Sequence, residues 1–179
     1  MKIMVASDIH GSAYYCEKLI EAYKYSGTER LLLLGDILYH GPQNELPVDY
    51  DPKKVIKMLN RIAKEIICIK GNCDSTADDS ALDFNIMADY AILFENRRMI
   101  FATHGHEYNE KKLPTLKEGD IFLYGHTHVP VCTSLGRINI MNPGSVSIPR
   151  EDSWHGYMTI DNGLYKWYDF DGTVRMSVE

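Results

Sequence analysis

The sequence has few of the features that hold a secreted, membrane-bound or nucleic-acid-coating protein together. Its four cysteines, Cys16, Cys68, Cys73 and Cys132, are scattered without a C-x-x-C pair, which excludes a zinc ribbon and a thioredoxin-type site. Apolar runs stay strand-sized, as at Leu31–Leu34, where a membrane span needs about 20 residues. The N-terminal run Ile3–Ala6 soon meets Asp8, far short of the about 7–15 apolar residues of a signal peptide. A cytoplasmic protein with reduced thiols is expected. There is no basic surplus either: 19 Lys and Arg against 25 Asp and Glu give a net charge of −6. A broad basic track for extended nucleic acid is thereby excluded. No repeat, low-complexity tract or linker interrupts the chain, so a single domain over residues 1–179 is expected.

What is present is ordinary globular material, 45% hydrophobic and 25% charged. A chain of this length buries about 70% of its unfolded surface and needs no disulfide or structural zinc to fold. Lys2–Ser7 reads as a buried strand, followed by a helix capped by Ser12, carried by Leu19, Ile20, Ala22 and Tyr23, and stopped at Gly27. Leu31–Leu34 is a second strand. Gly41 to Asp51 is a loop, and Asp51-Pro52 opens a helix with Val55, Ile56, Leu59 and Ile62 on its apolar face. Ile66–Ile69 is a third strand, ending at Gly71-Asn72-Cys73-Asp74.

Hairpin signals then dominate. Tyr90–Phe94 and Met99–Thr103 flank Asn96-Arg97, and Val131–Ser134 and Ile138–Met141 flank Gly136, with a short buried strand at Ile121–Tyr124 before them. The end of the chain alternates strands with Asn162-Gly163 and Asp171-Gly172, strong turn dipeptides. Two βαβ units followed by such a meander predict an α/β sandwich with an antiparallel second half. Its terminal strands would leave a sheet edge open to pairing, and a homo-oligomer is one partner such an edge admits.

Four of the seven histidines form two H-x-H pairs, His104-Gly105-His106 and His126-Thr127-His128, and a fifth stands in Asp8-Ile9-His10. Taken singly, Asp-x-His, Gly35-Asp36 and Gly71-Asn72 are common turn sequences. Taken together, Asp8, His10, Asp36, Asn72, His104, His126 and His128 each follow a predicted strand, at the carboxyl ends where α/β sheets build their sites. Mixed oxygen and nitrogen donors suit Mn²⁺, Fe, Ni²⁺ or Zn²⁺ better than Ca²⁺. There are more candidates than one ion takes, so two divalent ions sharing a carboxylate is the economical reading.

Asp8-Ile9-His10, Gly35-Asp36, Gly71-Asn72-Cys73-Asp74, Thr103-His104-Gly105-His106 and Gly125-His126-Thr127-His128 resemble, in order, the signature of the calcineurin-like metallophosphoesterases. Asn142-Pro143-Gly144-Ser145 through Arg150 is similar to the small bacterial phosphodiesterases of that family. The resemblance implies a two-sheet α/β/β/α sandwich with mixed sheets and an antiparallel C-terminal meander. It implies Asp8, His10, Asp36 and His128 around one ion, and Asp36, Asn72, His104 and His126 around a second, with Asp36 bridging. The implied cofactors are two divalent metal ions, Mn²⁺ first, with Ni²⁺, Fe or Zn²⁺ as alternatives. The implied reaction is in-line attack of a bridging hydroxide on a small or activated phosphodiester. Two divalent ions would outweigh two carboxylates, so an acidic chain can still present a cationic site. The alternatives are a scaffold of the same fold, which one retromer subunit exemplifies, a phosphomonoesterase or a nuclease.

Cys73 departs from many relatives, where the metal-binding Asn precedes a His that protonates the leaving group. A thiol with a pKa near about 8.5 is a weaker acid for that task than imidazolium. His106 is a candidate to supply the proton or to contact phosphate, against a merely solvated histidine. Cys16, Cys68 and Cys132 read as small buried hydrophobes, His40 as a surface histidine in a loop that could border the site, and Arg150 as one half of a structural ion pair, with phosphate contact as its alternative. Asp49, Asp51, Asp78 and Asp79 read as solvated loop charges, and Tyr14, Tyr15, Tyr23 and Tyr25 as helix surface and core.

Overall fold

The computed structural model describes residues 1–179. β1 (Ile3–Ala6), β2 (Arg30–Leu33) and β3 (Ile66–Cys68) run parallel, linked by α1 (Ala13–Ser26) and α2 (Pro52–Asn60). Ser12 caps α1 by accepting from the Tyr15 amide, and Gly27 ends it with φ 67°, the left-handed turn glycine tolerates best. Asp51 caps α2 through the Lys54 amide. It is a cap, then, and not simply a solvated charge. α2 stops at Asn60, before Ile62, which leads into a 3₁₀ turn at Ala63–Glu65 yet still packs on the core. The short α3 (Thr76–Asp79) was not foreseen. Ser75 and Asp78 cap each other there, and Asp79 accepts from the Ile86 amide.

The remaining strands are β4 (Tyr90–Glu95), β5 (Arg98–Thr103), β6 (Ile121–Leu123), β7 (Pro130–Leu135), β8 (Ile138–Pro143), β9 (Gly156–Asp161), β10 (Leu164–Asp169) and β11 (Val174–Val178). They complete two mixed sheets, β11-β10-β9-β1-β2-β3 and β4-β5-β6-β8-β7. The hairpins and the closing meander are antiparallel as expected. The sheets are mixed, as the resemblance implied, and the antiparallel second half read from the hairpins holds only in part: β5, β6 and β8 run parallel, because the chain leaving β6 passes first to the outer strand β7 and returns as β8.

The alternation of β1 explains the layers. Ile3 and Val5 face the second sheet, packing with Leu32, Leu34, Ile100, Ala102, Ile121, Leu123 and Trp167. Met4 and Ala6 face the helices, with Cys16, Leu19, Val55 and Leu59. A strand buried on both faces must be apolar throughout, as Ile3–Ala6 is. The outer face of the second sheet (Phe101, Phe122, Tyr124, Ile140) is covered by Tyr108, Leu113 and Leu116 of the long β5–β6 loop rather than by a helix. No helix is long and apolar enough to cross a membrane.

Candidate metal centre

Asp8 and His10 lie beyond β1, Asp36 beyond β2, Asn72 beyond β3, His104 beyond β5, and His126 and His128 beyond β6. Five of these seven residues are left-handed: Asp8 (φ 59°), His10 (48°), Asp36 (54°), His126 (64°) and His128 (62°). Each such turn costs a non-glycine residue about 1–2 kcal/mol. Asp and His tolerate it better than most, and a cluster of them marks a functional site.

Backbone ties hold these loops. The Asp8 amide donates to Gly35 O at 3.1 Å and the His10 amide to Asp36 O at 2.9 Å. The hydroxyls of Ser145 and Ser147 donate to Asp8 O at 2.9 and 3.1 Å. Asp74, buried, accepts from three amides, those of Asp36 (2.8 Å), Gly71 (2.7 Å) and Ile37 (2.9 Å). The Asn142 side chain donates to Gly125 O at 2.9 Å and to Thr127 Oγ1 at 3.0 Å, fixing the second H-x-H turn. Gly71 is obligatory, since a Cβ there would collide with the Asp36 amide nitrogen and carboxylate.

Three imidazoles are oriented in the same way. Nδ1 of His10 faces Tyr39 O at 2.8 Å, Nδ1 of His104 faces Leu34 O at 2.6 Å, and Nδ1 of His128 faces Ile148 O at 2.7 Å. A carbonyl only accepts, so each Nδ1 carries the proton and each Nε2 points inward as a donor to a cation. The carboxylates divide their oxygens likewise. Asp8 Oδ2 accepts from the His126 amide at 3.0 Å, and Asp36 Oδ1 from the Cys73 amide at 2.8 Å. The other oxygens face the imidazoles. Asp8 Oδ1 is 3.3 Å from His128 Nε2 and 3.6 Å from His10 Nε2, and Asp36 Oδ2 is 3.6 Å from His10 Nε2 and 3.5 Å from His104 Nε2.

Burial pushes the Asp8 carboxyl up, but the facing His10 and His128 outweigh it and hold it well below the ordinary range. Asp36 is likewise raised by burial and lowered more by His104. Burial lowers His10 and His104, yet the carboxylates raise both, His104 to about 9. His106 and His126 go the other way: burial and then the charge of His104 lower them.

Donor atoms converge in three groups: Asp8, His10 and His128; Asp8, Asp36 and His104; and His10, Asp36 and Cys73. The fit to divalent ions is good on three counts. Asp8 Oδ1 is buried without a hydrogen-bond partner. The donors are carboxylate oxygens and imidazole nitrogens of settled tautomer. And His10 Nε2 and His128 Nε2 are 3.2 Å apart, the spacing of two nitrogens each about 2.1 Å from one ion. Asn72 Oδ1 touches His104 Nε2 at 3.0 Å. The His126 ring lies beside that of His104, centroids 5.0 Å apart, but joins none of the three groups. His106 lies 5.3 Å from His104 by the same measure, half-buried, with its Nδ1 unpartnered.

Cys73 Sγ borders His10 and Asp36, and burial with the Asp36 charge pushes its thiol up to about 12. Asp74, Asn142, Ser145 and Ser147 were not singled out by the sequence, although all lie inside motifs it displays. Arg150 makes no ion pair; it donates to Asn44 Oδ1 at 2.8 Å. His40 is half-buried between Tyr39 and Tyr50 rather than on the surface, and Cys132 is exposed rather than buried.

Residues 1–163 match the calcineurin-like phosphoesterase superfamily domain. The chain belongs to that superfamily. It is 44% identical over 164 residues to the Escherichia coli phosphodiesterase YfcE, covering 92% of this chain and 89% of that protein. The solved structure of the E. coli phosphoesterase Yfce superposes with a TM-score of 0.96 at 41% identity, over 99% of this chain and 98% of that one. Phosphodiesterase MJ0936 of Methanocaldococcus jannaschii is 26% identical over 152 residues, covering 80% of this chain and 83% of that protein. Zinc-complexed Vps29 from Entamoeba histolytica, 18% identical with a TM-score of 0.66 over 99% of this chain and 98% of its own, shares the fold.

Proposed function

We propose that this chain is a metal-dependent phosphodiesterase acting on small or activated phosphodiesters at a dinuclear centre. Asp8, His10, Asp36 and His128 would hold one ion, and Asp36, Asn72, His104 and His126 would hold the other, with Asp36 common to both sets. Mn²⁺ is the expected metal, with Ni²⁺, Fe and Zn²⁺ as alternatives. The observation that carries this reading is the inward convergence of three Nε2 atoms and two carboxylate oxygens. The 44% identity to a phosphodiesterase supports it.

Bound divalent ions supply an activated water and positive charge for phosphate oxygens. The protein's own part is to fix the geometry. Asp74 and the paired serines hold the strained turns, and the three Nδ1 locks keep the imidazoles in one orientation. His106 contacts the phosphate or delivers the proton to the leaving oxygen. Cys73, with its thiol pushed up, gives proton poorly, so esters with good leaving groups are favoured. A reducing, cytoplasmic setting belongs to the same reading, because all four cysteines are free.

The test is to strip the protein of metal and assay a chromogenic phosphodiester with each ion in turn, while mass spectrometry counts ions per chain. Turnover with Mn²⁺ and two ions per chain are expected, with little action on a monoester or single-stranded DNA. No turnover with any ion would favour a scaffold instead.

A further inference from the structure

A cavity of about 610 Å³ opens beside the metal centre, between the two H-x-H turns. His106 and His126 line this cavity, and their rings lie 5.3 and 5.0 Å from that of His104, one of the grouped donors, so the cavity adjoins the centre. Tyr124, Val129 and Val131 give the cavity an apolar side. Tyr124 is held in place: its hydroxyl donates to Glu110 Oε1 at 2.7 Å and its ring stacks on Phe122. Around the opening stand Glu110, Glu151 and Lys111, all exposed, with a formal balance of −1.

On the phosphodiesterase reading, we infer that this cavity is the seat of one ester arm of the substrate and selects it by charge. The arm has an apolar body, which lies along Tyr124, Val129 and Val131, and an uncharged or cationic head that meets the acidic opening. An oxygen of the arm meets the part of the His106 ring that lines the cavity. Arms with a further carboxylate or phosphate are disfavoured, because their charge would face Glu110 and Glu151 with only Lys111 to offset it. The cavity therefore points to diesters of neutral or amino alcohols and away from polyanions.

The test uses symmetric aryl phosphodiesters, so that whichever arm enters the cavity has the same chemistry. Three are needed, with 4-nitrophenyl, 4-carboxyphenyl and 4-(trimethylammonio)phenyl arms. Each substrate is compared with itself between the parent and the variants, which cancels its intrinsic reactivity. Glu151→Lys is expected to raise kcat/KM for the carboxyphenyl diester relative to the nitrophenyl diester by about ten-fold, and to lower that of the cationic diester. Lys111→Glu is expected to do the reverse. Both residues are exposed, and circular dichroism confirms folding. Ratios that move less than two-fold in both variants overturn the assignment while leaving the phosphodiesterase reading intact. Failure of the parent to turn over any of the three with any metal overturns both.

Discussion

His10 and His128, 118 residues apart, bring their Nε2 atoms to 3.2 Å while both Nδ1 atoms face backbone carbonyls. Two imidazoles so tied present lone pairs to each other, and only a cation relieves that. A proton relieves it in metal-free protein, and the facing carboxylates raise His10 toward holding one. On the proposed reading a bound divalent ion takes that place.

Metal uptake should therefore release protons. His10 and His104 are both raised by the facing carboxylates, His104 to about 9. At neutral pH His104 holds a proton that an ion must displace, and the raised His10 adds to the release. Calorimetric titration with Mn²⁺ in two buffers of different ionisation enthalpy should show net release of at least one proton per chain near pH 7.5. An apparent enthalpy independent of the buffer would contradict it.

The same shift gives metal-free protein a definite pH trend. The His104 pKa is raised above its ordinary 6.5, so the folded state binds that proton more tightly than the unfolded state does. Its stabilisation is complete below about pH 6.5 and is lost as pH rises through about 9. Thermal melting of the stripped protein should weaken over that window, and the slope should flatten in His104→Gln. Asp8 works in the opposite sense: its pKa is lowered, so its contribution is present above the ordinary carboxylate range and is lost on acidification. A parent and a His104→Gln protein with the same slope from pH 6.5 to 9 would refute the assignment.

Asp74 positions Asp36 and touches no candidate donor group itself. Its carboxylate accepts from the amides of Asp36, Gly71 and Ile37. Asp74→Ala leaves three buried donors unpaired and should cost about 3 kcal/mol or more. Asp74→Asn keeps the oxygen that takes two of them and should cost about half as much. Urea denaturation measures both. Metal affinity should fall in the same order, and equal losses for Ala and Asn would argue against this role.

Cys73→His should move substrate preference toward esters with poor leaving groups while leaving the metal content unchanged. The side chain borders Asp36 and His10, and an imidazole there would protonate a leaving oxygen better than the present thiol. Relative rates across a leaving-group series give the answer. Unchanged relative rates would sink the idea.

Much of this was legible in the sequence, for local reasons. Ser12, Gly27 and Asp51-Pro52 act within a few residues of the ends they set, and the glycine dipeptides mark their own turns. The candidate donors were legible because each follows an apolar run that could only be a strand. What escaped is non-local. Nothing near His104 announces that Leu34 O, 70 residues earlier, will take its Nδ1 proton. Strand order escaped too, since β8 reaches β6 only by displacing β7 to the edge. The H-x-H spacing treats its two histidines as equals. The backbone turns His128 into the donor cluster and leaves the His126 ring beside it.

β1 leads directly into Asp8 and His10, and its neighbours in the sheet are β2 and β9. On the ribosome β1 gains β2 early, but β9 begins at Gly156, and the serines that hold Asp8 O are Ser145 and Ser147. One edge of β1 therefore stays unpaired until Gly156 and the residues after it have been made. The candidate donors are all synthesised before the residues that lock the Asp8 turn, so the order of synthesis sets the order in which the centre can become rigid.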